Sequence, residues 1–363
     1  MPHISRERII SLPRTEIAGI DAGGTKTHMR FLDPSTGEIR HVQARSADYD
    51  SLEHLFYGCF DMAGCLPRSL VAGVAGRPGR DGDVRITNHP QWPTFRRRAF
   101  ATDLEMALVT INDMVATTAG VADLDESDWV PLTPEVAPHP GPALLAVSVG
   151  TGVGSASVDR TGRAHPAESG HVAWQPVTVL EEDYLRSLQR LRPGIPISVE
   201  LSIGGLRGID HMYDFMTTRK KPGPYIQEHV DRFRREHRGI GPVITAAAVG
   251  GDACCREIMR LFGAILGQFL RSIVLTCMSE GGSVWLTSGV LQAPGVCDLL
   301  ISDTAFVERF IATGAEHAEL MQEIPLFAVT DRQVAVRGAF ALTRQSAGQA
   351  AAPIHERREH ACG

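Results

Sequence analysis

The residues best equipped for chemistry are Asn112 and Asp113, which close the strand-like run 106–111. A carboxylate at a strand end is well placed to take a proton from an attacking hydroxyl. Upstream stands Asp21-Ala22-Gly23-Gly24-Thr25. Downstream stands Ser148-Val149-Gly150-Thr151-Gly152-Val153-Gly154, followed by Glu168-Ser169-Gly170-His171. Glycine turns bring backbone N–H groups up to phosphate oxygens, and Asp21 suits a magnesium ion held through water. The first turn joins strand to strand, unlike a Walker loop, which runs from strand to helix and ends in Gly-Lys-Ser/Thr. Each turn alone reads equally as an ordinary hairpin. Two of them around a lone aspartate point to phosphoryl transfer onto a polyol.

Glu168 and His171 lie three apart, and Glu200 precedes Ser202-Ile203-Gly204-Gly205. Carboxylates and an imidazole match the donors and acceptors of a sugar ring. The same three types also compose metal sites, and the glycine turns are what favour a sugar. The segment Thr87-Asn88-His89-Pro90-Gln91-Trp92 reads either as a loop shaping that pocket or as a turn around a buried Trp. Ser288-Gly289 ends an apolar strand in small residues, as a loop admitting adenine would and as a plain turn also would.

These residues need a scaffold, and composition bounds it. At 363 residues with 43% hydrophobic, the chain suits two domains with sizeable cores. The formal net charge of -6 argues against nucleic-acid or membrane-surface partners. The basic clusters Arg96-Arg97-Arg98 and Arg232, Arg234, Arg235 and Arg238 are interleaved with acids and read as solvated helix faces. Seven cysteines without framework spacing, and with no secretory leader, point to a reducing cytoplasm. In the most apolar window, 261–278, Gln268 and Arg271 interrupt a helical stripe that runs from Met259 through Phe262, Leu266 and Phe269 to Ile273. That pattern is a core helix rather than a membrane span.

Residues 1–15 read as a loose leader. Strands are expected at 16–20, 27–32 and 38–44, a helix at 51–63, a strand at 70–75, and a helix at 114–121 after the strand ending at Ile111. The Pro- and acid-rich stretch 123–142 reads as an excursion. The second half repeats the opening: strands at 143–149 and 153–158, helices at 181–191, 204–217 and 252–278, then strands at 283–287 and 326–329, each followed by a helix. Two α/β halves, each opened by a glycine-bearing hairpin, form an internal pseudo-repeat.

In this order the motifs resemble those of the bacterial glucokinase family of the hexokinase/actin-like ATPase superfamily, in the branch without the zinc-binding cysteine motif. The resemblance runs from Ile17 to about Leu342. It is carried by Asp21-x-Gly-Gly-Thr25, Gly73-x-x-Gly76, Thr87-Asn88-His89 with Trp92, Ile111-Asn112-Asp113, Gly150-Thr151-Gly152-x-Gly154, Glu168-x-Gly170-His171, Ser198-x-Glu200 and Ser288-Gly289. It implies an α/β fold of two ribonuclease-H-like domains with an interdomain cleft. The small domain would be 16–112 with a C-terminal helix at about 333–346 returning to it, the large one 113–332, with flexible termini at 1–15 and 347–363.

The resemblance further implies that Asp113 deprotonates a sugar 6-hydroxyl, that Asn112 binds the 3- and 4-hydroxyls, and that Glu168, His171 and Glu200 hold carbons 1 and 2. Gly23, Gly24 and Thr25, with Gly150, Thr151 and Gly152, would hold ATP phosphates, Ser288 and Gly289 the adenosine, and Asp21 Mg²⁺. It implies a cytoplasmic homodimer that phosphorylates glucose. The chain departs from the family pattern at Ser169, Ile203 and Ser288, at Arg332-Gln333 and at Ser148-Val149. Another hexose, an amino sugar or a cyclitol is the alternative acceptor. A sugar-sensing regulator on the same fold is the non-enzyme alternative, against which stand the short leader and Asp113.

Overall fold

The computed structural model describes residues 4–133, 136, 143–150, 152–204 and 207–351. They fall into two compact units. One runs up to Leu124 and resumes at Gln333; the other is Asp125–Arg332.

In the first unit, β1 (Arg14–Ala22), β2 (Lys26–Leu32) and β3 (Ile39–Arg45) make an antiparallel meander. β4 (Leu66–Val74) then pairs parallel to β1, and β5 (Ala107–Asn112) parallel to β4, giving the order β3-β2-β1-β4-β5. The interior strand β4 is buried along most of its length, as a strand covered on both faces must be. Helices α1 (Arg6–Ile10), α2 (Leu52–Ala63), α3 (Arg97–Asp103) and α4 (Asp113–Val121) belong here. Ser51 starts α2 by accepting the His54 N–H at 3.2 Å, and Gly64 ends it with φ 67°.

The second unit repeats the plan. β7 (Leu144–Val149), β8 (Val153–Val158) and β9 (Ala164–Ala167) form the meander, and β10 (Ser283–Ser288) and β11 (Leu326–Val329) follow as parallel neighbours. One short antiparallel edge strand, β6 (Trp129–Pro131), is added beside β11. Leaving that edge aside, the two sheets share one topology, the ribonuclease-H-like arrangement twice over.

Its helices are α5 (Val179–Leu191), α6 (Val199–Ile203), α7 (Gly208–Thr217), α8 (Pro224–Arg235), α9 (Gly241–Val249), α10 (Ala253–Cys277), α11 (Val296–Ser302), α12 (Ala305–Ile311) and α13 (Ala315–Glu323). Long enough to cross a membrane, α10 instead spends its apolar stripe on this unit's core, with Met259, Phe262, Leu266 and Phe269 buried. Its two polar interruptions are answered by carbonyls. Gln268 donates to Gln175 O at 2.7 Å, and Arg271 to Ala312 O at 2.6 Å.

The last helix, α14 (Val334–Ala351), completes the first unit. It crosses β1 so closely that a Cβ on Gly19 would enter the Phe340 backbone, and it meets α4 through Gly338 and Gly120. Buried Thr343 fastens it, accepting from Val71 N at 3.0 Å and donating to Ala18 O at 2.8 Å.

Several expectations are corrected. The boundary expected at 112/113 moves to 124/125, because α4 packs on α14 within the first unit. The leader is not loose over its described part: α1 forms there, Ile9 is fully buried, and Arg8 pairs with Asp61 at 2.9 Å. At the other end α14 continues to Ala351, past the expected 346. The helix expected from 204 starts at Gly208, since Gly204 caps α6 in extended geometry. Arg96 and Arg98 pair with Asp83 and Asp81 at 2.9 Å, and Arg97 donates to Leu108 O, so the first basic cluster ties a loop to β5.

Candidate functional site

In the first unit the chemistry gathers where parallel strands end. Register sets Asp21 of β1 opposite Gly73 of β4, and Val74 opposite Asn112 of β5. A Cβ on Gly73 would lie 2.9 Å from Ala116 Cβ, so glycine lets α4 seat against the strand and brings Asp113 to the same edge. Asn112 caps α4: its Oδ1 accepts Met114 N–H at 2.9 Å while its Nδ2 donates to Gly76 O at 3.1 Å. Asp113 is the first helical residue, its Oδ1 also accepting Met114 N–H at 2.9 Å. Asn112 therefore holds the geometry of the neighbouring carboxylate, and keeps one amide N–H and one oxygen lone pair for other work.

Asp21 is partly buried, and no protein cation or hydrogen-bond donor meets its carboxylate among the described residues. Burial, reinforced by the negative charge of Asp113, pushes its carboxyl up to about 7. A divalent cation would reverse that by favouring the ionised form. An oxygen ligand in need of a positive charge fits Mg²⁺. Among the described residues there is no cluster of three or more His, Cys, Asp or Glu that would make an all-protein cage.

The adjoining turn is braced from three sides. Ser46 Oγ donates to Gly23 O at 2.7 Å, Ser46 N to Thr25 O at 3.1 Å, and His89 Nε2 to Gly24 O at 2.8 Å. His89 stacks on buried Trp92 with ring centroids 4.1 Å apart, so the Thr87–Trp92 segment is a turn around a buried Trp. A Cβ on Gly24 would lie 2.6 Å from Asn88 Nδ2. Gly23 N–H is spent on Lys26 O at 3.1 Å, whereas those of Gly24 and Thr25 meet no acceptor among the described residues. Two open N–H groups beside a carboxylate make a cradle for an anion with its cation. Ser46 was not legible in advance, since it braces the turn from 23 residues along the chain.

In the second unit the residues converge on Val153. Gly150 N–H closes the turn on Gly152 O at 2.9 Å; Thr151 lies outside the described residues, as does Gly205. Glu200, on α6, accepts the Val153 N–H at 2.8 Å. On the other side of the same residue a Cβ on Gly170 would enter Val153 O, which seats the 3₁₀ turn Ser169–His171 against β8. Glu168 and His171 then stand 3.8 Å apart, Oε2 to Nε2, both exposed. Val199 N donates to Val172 O at 3.0 Å, joining α6 to that turn. Ser288 is paired with Val149 in register, so Ser288 and exposed Gly289 end beside the Gly150 turn, with Ser288 Oγ accepting Val290 N–H at 3.2 Å.

The Ser169 departure has a partner: its hydroxyl lies 2.7 Å from that of Ser155, which is 1% exposed on β8. Ser169→Ala should lower unfolding free energy by about 1–2 kcal/mol, the cost of stranding a buried hydroxyl. Adding Ser155→Ala should recover part of that loss. Denaturant titration of both singles and the double variant checks the cycle.

Glycine turns at the strand ends of two ribonuclease-H-like units, with an aspartate opening the helix after β5, define a sugar-kinase class of phosphotransferase. Residues 18–346 match the glucokinase family, and the chain belongs to it. A glucokinase-like protein of Xylella fastidiosa (strain 9a5c) is 29% identical over 331 residues, covering 88% of this chain and 92% of that one. A glucokinase from Balamuthia mandrillaris in complex with glucose superposes with TM-score 0.70 at 21% identity, over 90% of this chain and 93% of that one. A ROK family glucokinase from Streptomyces griseus in complex with glucose and AMPPNP gives 0.64 at 17%, over 91% and 99%. At those identities the two structures attest the fold.

Proposed function

We propose that this protein transfers the terminal phosphoryl group of ATP to the 6-hydroxyl of glucose. The observation that carries the reading is Asp113: a carboxylate held by Asn112 and the first turn of α4, beside Asp21 and the open N–H groups of Gly24 and Thr25. Asp113 accepts the proton of the attacking hydroxyl, Asn112, Glu168, His171 and Glu200 hydrogen-bond the other sugar hydroxyls, and the N–H groups of Gly24 and Thr25, with the Gly150–Gly152 turn, meet phosphate oxygens, Gly23 serving to close its turn. Ser288 and Gly289 border the adenosine. Asp21 would hold Mg²⁺ through water; bound there, the ion would neutralise charge on the phosphate oxygens.

Glucose is favoured over another hexose, an amino sugar or a cyclitol by membership of the glucokinase family, and Ser169, the departure nearest Glu168 and His171, is bonded to Ser155. Family membership also supports a glycolytic role and a cytoplasmic homodimer. A coupled ADP-release assay across a sugar panel with MgATP tests the reading. Glucose should give the highest kcat/KM; turnover on another sugar with none on glucose would replace the acceptor.

A further inference from the structure

We infer that Glu200 is a positioning residue for the Gly150–Gly152 turn, so that one carboxylate links sugar recognition to nucleotide binding. The sugar half rests on the reading above; the turn half stands on geometry alone. Val153 is the first residue of β8, immediately after the turn, and its N–H is held at 2.8 Å by Glu200 Oε2. A bond from a carboxylate to a backbone N–H is roughly twice as strong as a neutral one. Two glycines clear the space for it. A Cβ on Gly152 would lie 2.8 Å from Oε2, and one on Gly204 would lie 2.7 Å from Val153 Cγ2 and 3.2 Å from Glu200 Cγ. At Gly150, by contrast, an added Cβ would meet nothing within 4 Å. Gly152 is therefore glycine because a carboxylate must approach the turn.

The other carboxylate oxygen, Oε1, has no protein partner among the described residues, and the side chain is only half-buried. A sugar hydroxyl bonded to Oε1 would fix the carboxylate plane, and with it the acceptor that Val153 N–H needs. By linkage, a nucleotide that orders the turn would favour the sugar by the same factor.

The test measures binding of a non-hydrolysable ATP analogue by calorimetry, first without sugar. Glu200→Ala should weaken it roughly tenfold, the worth of one charge-assisted bond. Glu200→Gln keeps an oxygen for Val153 N–H but makes a neutral bond, so it should weaken the analogue by only about threefold, while its sugar KM rises as the charge toward the sugar is lost. Val153 amide exchange should accelerate in Glu200→Ala and stay slow in Glu200→Gln. Should Glu200→Ala fail to fold, Gly152→Ala displaces the carboxylate by its Cβ and should weaken the analogue comparably. Unchanged or tighter analogue binding in Glu200→Ala, or an equal loss in Glu200→Gln, overturns the inference. Because no sugar is present, a chain that ignores glucose but loosens the analogue in Glu200→Ala upholds the positioning role and overturns only the acceptor assignment.

Discussion

Replacing Asp113 by Asn should cut turnover by roughly 10²–10⁴-fold, the usual worth of a general base. The amide oxygen can still accept Met114 N–H, so the start of α4 is retained. What it cannot do is take the proton of the attacking hydroxyl. Phosphoryl transfer is loose, and base assistance comes late, so a value near the low end is expected. Sugar and nucleotide dissociation constants should move far less, because Asn112, Glu168, His171, Glu200 and both glycine turns are untouched. Single-turnover rates alongside direct binding measurements separate the two. Turnover close to wild type would place the base elsewhere and leave Asp113 as a helix-start residue.

Stability should respond most to the crossing of α4 and α14. A Cβ on Gly338 would run into the Ala116 carbonyl and crowd Gly120 N, both backbone atoms that cannot swing aside. Gly338→Ala should therefore lower unfolding free energy by about 2–3 kcal/mol, the upper range for overpacking. Gly348, later on the same helix, is the control: a Cβ there meets nothing within 4 Å. Gly348→Ala should be neutral or stabilising by up to about 1 kcal/mol through helix propensity. Denaturation of both variants checks the contrast. Equal midpoints would mean that the two helices part without penalty.

The parts of the molecule that were legible in the sequence are those with local causes. The Asp21–Thr25 hairpin, the Asn112-Asp113 strand end and the apolar stripe of α10 are each encoded within a short window, and each forms where expected. Elements whose cause is distant were missed. β6 is three residues in a proline-rich stretch and exists by pairing with β11, nearly 200 residues on, while β9 carries a proline and little apolar pattern. The first boundary was misplaced because an apolar helix face does not say which core it joins. For α4 the answer comes from Gly338, far along the chain. Glu200 is similar: a carboxylate on a short helix looks made for a ligand, and its bond to Val153 spans 47 residues of sequence.

The return of α14 also sets a timetable for synthesis. The strands it covers, β1 and β4, leave the ribosome first, but Thr343 and Phe340 arrive only after the whole of Asp125–Arg332 has been made. At about 5–20 residues per second, those roughly 200 intervening residues take on the order of 10–40 s. Throughout that interval the nascent first unit has only α4 on this apolar sheet face, and the part that α14 will cover stays open, while the second unit, continuous in sequence, is free to fold as it emerges. A chain released short of Thr343 would keep that part bare and remain a substrate for chaperones and proteases, however well its second unit had formed.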